Sequence, residues 1–342
     1  MRHPRIYIHI RQAVFWGLMA LALSGSAQTE AVSHLYALIV SGGRNRLTNH
    51  ERYWNDCAFL YRTLRQRYHL PKQHVVVLMS DGGDPAADML RTGGMGFASS
   101  PVDLDGDGIQ DVFDAATGDN LLQVMTGLSR QLAADDHLFL FFIDHGGLDS
   151  QTSIPYLWLW NNEQLLPDKL GSLLDGIHTG SVSMVFGQCY AGGFLSALQR
   201  EGRVIATACS GNELSWVCPD LPYDEFVYHW TCAVNGADID GTPVAADADN
   251  DGRVSMREAY DYAYSHDRRS ETPQYSSLPE SLGVQWTFSG VGTGSGISEL
   301  QTDASAVSVF SLSGIRQPLS AVPCHSLYIR RQGNRITKNI RP

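Results

Sequence analysis

Five short runs rich in β-branched and aromatic residues recur along the chain: Leu35 to Val40, His74 to Met79, Leu138 to Ile143, Val182 to Phe186 and Val204 to Ala208. Between them lie segments whose apolar residues return at every third and fourth position, as amphipathic helices require. The clearest starts near Thr48. Thr48-x-x-Glu51 has the form of a capping box, and Tyr53, Trp54, Cys57, Leu60, Tyr61 and Leu64 follow at helical spacing. Further helices are expected after Pro167 and after Gly193, and a last strand at Gln285 to Phe288. Strand and helix in alternation predict an α/β fold with a mostly parallel central sheet covered by helices.

Two of the strands end on reactive side chains. The run "LFLFFIDHGG" stops at Asp144, His145, Gly146 and Gly147, and 44 residues after the histidine "VSMVFGQC" stops at Cys189 and passes into "YAGGFLSAL". The carboxyl edge of an open α/β sheet is where ligands bind. A thiol with an ordinary pKa near ~8.5 is mostly protonated at neutral pH, and a neighbouring imidazole and a helix amino terminus both favour the thiolate. His145 is therefore expected to activate Cys189 and then to protonate a leaving amine. Gly146 and Gly147 carry no side chain to block a substrate carbonyl, so their backbone N–H groups and that of Cys189 could form an oxyanion hole. Either residue alone would read as packing. The pair, at matched strand ends with glycine-rich exits, reads as nucleophilic catalysis.

These stretches resemble the His and Cys motifs of clan CD cysteine peptidases, the group of caspases, gingipains, clostripain and legumain. The likeness is nearest to the legumain-like family and runs from about residue 33 to 235, through "SGG" after the first strand, Asp56 in the following helix, "YLWLWNNEQLLPDKLGSLL" and "VIATACSGNELSW". It implies a caspase-like three-layer sandwich, an endopeptidase activity through a thioester, and protein or peptide substrates. It also implies roles: His145 as general base, Cys189 as nucleophile, Glu213 to Trp216 along the substrate pocket with Ser215 and Trp216 in contact, and Arg52 as a pocket arginine. Legumains follow the nucleophile with a glutamate and later use an aspartate to read asparagine. Here Tyr190 and His229 fall at those places, so asparagine specificity is not implied. The same resemblance leaves open a transamidase or peptide ligase, and a calcium-binding surface protein on an inactive peptidase fold.

Two acidic clusters carry a different chemistry. "DADNDGRVSMRE" puts Asp247, Asp249, Asp251, the Arg253 carbonyl, Ser255 and Glu258 at positions 1, 3, 5, 7, 9 and 12 of an EF-hand loop, with Gly252 at the turn. "DLDGDGIQDVFD" repeats the pattern with Asp103, Asp105, Asp107, Asp111 and Asp114. Alternate oxygens of a tight turn converge on one hard cation, so structural calcium is expected at both, and no organic cofactor.

The chain's ends bear on location. Arg2, Arg5 and Arg11 precede an apolar stretch from Ala13 to Leu23 and the small residues Gly25, Ser26 and Ala27, the pattern of a signal peptide over residues 1–27. The apolar part is too short for a stable membrane span. Residues 28–290 are expected to form the peptidase domain, 291–305 a Gly/Ser-rich linker, and 306–342 a small basic β module. That module resembles the sorting domain that Bacteroidetes use for type IX secretion, which implies export to the periplasm and then to the cell surface or medium by that machinery. Between the ends, residues 28–305 hold 16 of the 25 bases against all 36 acids, which argues against a nucleic-acid partner. Six cysteines in an exported chain permit disulfides, with one pair expected among Cys209, Cys218 and Cys232.

Overall fold

The computed structural model describes residues 34–291 and three strands beyond them, Val307–Phe310, Leu327–Gln332 and Arg335–Ile340. Seven strands form the central sheet: β1 (Leu35–Ser41), β2 (Val75–Met79), β3 (Val112–Asp114), β4 (His137–Phe142), β5 (Ser181–Phe186), β6 (Arg203–Thr207) and β7 (Gln274–Leu278). Their order is β7-β6-β5-β4-β1-β2-β3. Only β7 runs antiparallel to its neighbour. The apolar strands are continuous because both faces are covered. In β4, Phe139 and Phe141 enter one core with α1 (Glu51–Arg62), α4 (Glu225–Asn235) and α5 (Met256–His266). Leu138, Leu140 and Phe142 enter the other, with α2 (Gly118–Gln131) and α3 (Pro167–Asp175). Phe139 stacks on Trp230 at 5.6 Å, and Phe142 on Phe186 at 5.1 Å. Each such buried ring contributes about 1.5–3 kcal/mol, which ties the helical layers to the strands that carry the site.

The chain steps from β1 outward to β2 and β3, then returns to the other side of β1 and steps away through β4, β5 and β6. Loops leaving β1 and β4 therefore part at their carboxyl ends and open a crevice there. A small hairpin, Gly146–Leu148 against Pro155–Trp158, stands on that edge.

Several expectations need correction. Thr48 does not cap α1: its hydroxyl donates to the Gly43 carbonyl, the N-cap is His50, and Glu51 accepts the Thr92 N–H instead. After Gly193 only Leu195–Leu198 is α-helical, preceded by a 3₁₀ turn over Ala191–Phe194. Trp286–Thr287 pairs with Gly290–Val291 and not with the main sheet, whose last strand is the polar edge segment β7. Cys209, Cys218 and Cys232 are all free thiols, as are Cys57 and Cys189. In the terminal module the three strands pair antiparallel in chain order. The signal segment, the linker from residue 292 and the remainder of the module fall outside the described residues.

Candidate active site

Beyond β4 the chain passes through Ile143 and Asp144, both buried, to His145. One oxygen of Asp144 accepts the His145 N–H and the other meets no donor. Burial pushes this carboxyl well above the usual carboxylate range, against the His145 and Gly43 backbone groups that favour its charge. The His145 ring lies edge-on to His50 (5.3 Å) and Tyr53 (5.4 Å). Its Nε2 sits 3.1 Å from the Thr48 carbonyl. A carbonyl only accepts, so Nε2 carries the proton and Nδ1 is left as the basic atom. Burial, then the nearby Arg52 charge, lower the imidazole pKa to about 4. His50 is lowered to about 4 as well, by burial and then by Arg52 and His145. Both rings are neutral at pH 7.

Cys189 follows β5 past Gly187 and the fully buried Gln188. The strand beginning at Gly146 lies directly on it: a Cβ at Gly146 would stand 2.0 Å from the Cys189 carbonyl oxygen and 2.9 Å from Gln188 Cγ. The Gly146 N–H points to the Cys189 sulfur. The thiol is also within 3.7 Å of the Ser215 carbonyl. This contact, absent of any side chain on one partner, is what brings residues from two strands to one crevice. The thiol differs from the sequence expectation. Burial raises its pKa, and the helix expected after it is a 3₁₀ turn entered through Tyr190 in the left-handed region (φ 61°). The resting pair is therefore thiol and neutral imidazole, not thiolate and imidazolium.

Arg52, in the first turn of α1, donates from Nε to both Asp224 oxygens (3.1 Å each) and from Nη2 to the Tyr53 hydroxyl (2.7 Å). Asp224 is the N-cap of α4, and its backbone N–H donates to Asp56. Burial pushes both carboxyls up; the Arg52 charge, through the Nε N–H shared between both Asp224 oxygens, favours the ionised form of Asp224, while Asp56 beside it is pushed well above the usual range. His229, expected at the aspartate's place, faces Glu225 (3.6 Å) and the His266 ring (5.8 Å). The acid that meets Arg52 stands five residues earlier. The sequence offered one sign of it, an aspartate immediately before an apolar helix.

Ser215 and Trp216 lie on the edge beside the thiol, with Trp216 41% exposed. The Tyr190 N–H donates to the Glu213 carbonyl (2.8 Å), joining the turn after Cys189 to this edge. The Glu213 carboxylate is held by Thr272 and does not serve the pocket. Sequence reasoning missed Asp224, His50, Tyr53 and Glu271, whose positions depend on tertiary packing.

Of the first acidic loop, the carboxylates of Asp247, Asp249 and Glu258 converge. Gly252 has φ +87°, which the turn needs. Asp251 bonds the Arg253 N–H and Ser255 caps α5 through Glu258 in a reciprocal box. In the second loop Asp103, Asp105 and Asp111 converge, while Asp107 turns to Ile109 and Asp114 lies in β3. Pairing of β3 with β2 draws Asp114 away from the turn. Asp111 also accepts the Tyr61 hydroxyl and pairs with Lys72, and Arg62 donates to the Leu104 carbonyl, so this loop is fastened to the last turn of α1. All the converging side-chain atoms are carboxylate oxygens, the donor type that a hard cation prefers. Among the described residues no helix is long and apolar enough to cross a membrane.

A family model, described as the Peptidase C13 family, matches residues 35–278. A crystal structure of a protein from Geobacter sulfurreducens is similar at 13% identity and a TM-score of 0.44, over 75% of this chain and 98% of that one. No curated protein gives a significant match.

Proposed function

The chain belongs to the peptidase C13 family, and from that premise we propose that it is an exported, calcium-stabilised cysteine endopeptidase acting through His145 and Cys189. The observation that carries the reading is the seat of Gly146, the residue after His145, on Cys189, with the Gly146 N–H at the sulfur. A substrate carbonyl entering between them would be attacked by sulfur as Nδ1 of His145 takes the thiol proton. The N–H groups of Gly146 and Cys189 would stabilise the oxyanion. Collapse expels the amine, which takes the proton from His145, and water then hydrolyses the thioester. In a transamidase an added amine resolves that same thioester, so product analysis with an amine nucleophile separates the two reactions. Cleavage of a peptide library by the mature protein tests the proposal; an inert protein whose Cys189 is also unreactive overturns it.

Arg52 and Asp224 give the pocket a donor and an acceptor with no net charge. Such a pocket fits a neutral carboxamide side chain better than a charged one, because a charge would leave a buried partner opposed. Asp224→Asn is expected to lower kcat/KM for carboxamide substrates by about 30-fold or more, as loss of a buried charge partner does. An unchanged kcat/KM, or a library preference for Arg or Lys before the cut, would reject this pocket.

Calcium would be held by Asp247, Asp249 and Glu258 with the Arg253 carbonyl, and by Asp103, Asp105 and Asp111 in the second loop. At saturating calcium such binding stabilises by about 2.7 kcal/mol per site at a hundredfold excess over Kd. Excess chelator is therefore expected to lower the melting temperature by roughly 5–10 °C. A superimposable melting curve removes calcium from the account. We read residues 1–27 as the export signal and 306–342 as a type IX sorting module.

A further inference from the structure

Residues 267 to 272, which follow α5, grip the edge beside Cys189. The Trp216 N–H donates to Glu271 Oε2 (3.1 Å), Arg269 Nε donates to the Val217 carbonyl (2.7 Å), and the Thr272 N–H and hydroxyl donate to Glu213 (3.0 Å each). The same edge offers the Ser215 carbonyl to the thiol. Its register against Cys189 thus depends on this strap. Within the strap, Glu271 Oε1 and Asp267 Oδ2 are buried without a geometrically formed hydrogen bond, the Ser215 hydroxyl being the donor that faces Glu271. The other oxygen of each is satisfied, by Trp216 for Glu271 and by the Arg269 N–H (2.8 Å) for Asp267. The two side chains are partners of each other. Two ionised carboxylates cannot bond, since neither has a donor; one proton between them satisfies both orphaned oxygens.

We propose that Asp267 and Glu271 share one proton between Oδ2 and Oε1, and that this carboxyl pair positions the Ser215–Val217 edge against Cys189. The inference rests on reading the crevice as a peptidase site. The charged groups that face the pair are Asp224 and Glu225, which disfavour a second negative charge there, and Arg269, which favours it; the Cys189 and Cys209 thiols stand nearby uncharged, and the Ser215 hydroxyl also faces Glu271. Burial and the facing Asp267 raise Glu271 to about 9. Its proton is therefore kept in the folded state over a window, from about 4.5 to about 9, where the unfolded chain has released it. Stability contributed by the pair is whole below that window and declines as pH rises through it.

The test uses Glu271→Gln, whose amide can supply the missing donor permanently, alongside Asp267→Asn and Glu271→Ala, all in the full chain. In the Cys189→Ala background, the melting temperature of Glu271→Gln relative to its parent is expected to climb as pH goes from 5 to 9. Parallel curves would overturn the shared proton, and this arm needs no turnover, so it is decided even if the peptidase reading fails. With Cys189 intact, Glu271→Ala is expected to raise KM by about tenfold at pH 6 with kcat little changed. Glu271→Gln and Asp267→Asn should restore KM and carry activity further into the alkaline range. Equal impairment by Ala and Gln, or an alkaline limb that no variant moves, would overturn the positioning role.

Discussion

Cys189→Ala will remove peptide cleavage, lowering kcat/KM by about 10⁴-fold or more, while the melting temperature stays within a few degrees of the parent. The first half follows from chemistry: in the proposed mechanism the attacking atom is the Cys189 sulfur, and alanine supplies no nucleophile. The second follows from packing, because the sulfur is half-buried and its contacts, the Ser215 carbonyl at 3.7 Å and the Gly146 N–H, are weak hydrogen bonds to sulfur. A thiol-directed peptide probe gives the companion result. Cys57, Cys209, Cys218 and Cys232 are buried, with their pKa values pushed up by that burial, so among the described cysteines only Cys189 should label. His145→Ala should slow the labelling by removing the proton acceptor. The activity of the parent should fall in acid only as pH drops through about 4, where Nδ1 of His145 becomes occupied. Cleavage that survives Cys189→Ala would refute the assignment.

Gly146→Ala should be nearly as damaging for a different reason. The new methyl would meet the Cys189 carbonyl oxygen at 2.0 Å and the Gln188 side chain at 2.9 Å, and the nearer of these is backbone that cannot rotate away. Relief requires the Gly146–Leu148 strand to back off from Cys189, carrying the Gly146 N–H with it. Overpacking of this kind costs about 1–3 kcal/mol, and withdrawal of one oxyanion donor costs about 10²–10³ in kcat. Circular dichroism, melting and kcat on the same preparation check it. A variant with the parent's kcat would mean that Gly146 is not a donor to the reacting carbonyl.

What could be read from the sequence was whatever depends on periodicity or on a strand's end. The parallel sheet follows from runs such as Val75 to Met79 and Leu138 to Phe142, whose every residue needs cover. His145, Gly146 and Cys189 stood out as candidates because each strand stops on a residue with no reason to be there for packing. The pocket was less so. Asp224 finds Arg52 across 172 residues, and only the packing of α1 against α4 decides that it, and not His229, makes the ion pair. Residue spacing could not reveal Glu271 either, since its role depends on a strap meeting a distant edge. Strand β7 was missed because Gln274 to Leu278 is half-buried throughout and holds only Tyr275 and Leu278 as large apolar side chains, as edge strands often do. The second acidic loop kept its pattern in letters but lost Asp114 to the sheet, a competition between metal geometry and strand pairing that a linear motif does not register.

Helix α1 touches both regions. Arg52 sits in its first turn, aimed by Asp224, and Tyr61 and Arg62 in its last turn hold the 103–111 loop. Arg52 and Tyr61 stand nine positions apart on the helix, a rise of about 14 Å along its axis. Whatever draws that distant loop tighter or lets it slacken has a lever on the cleft, so distal changes in the loop should register as altered substrate choice before they register as lost fold.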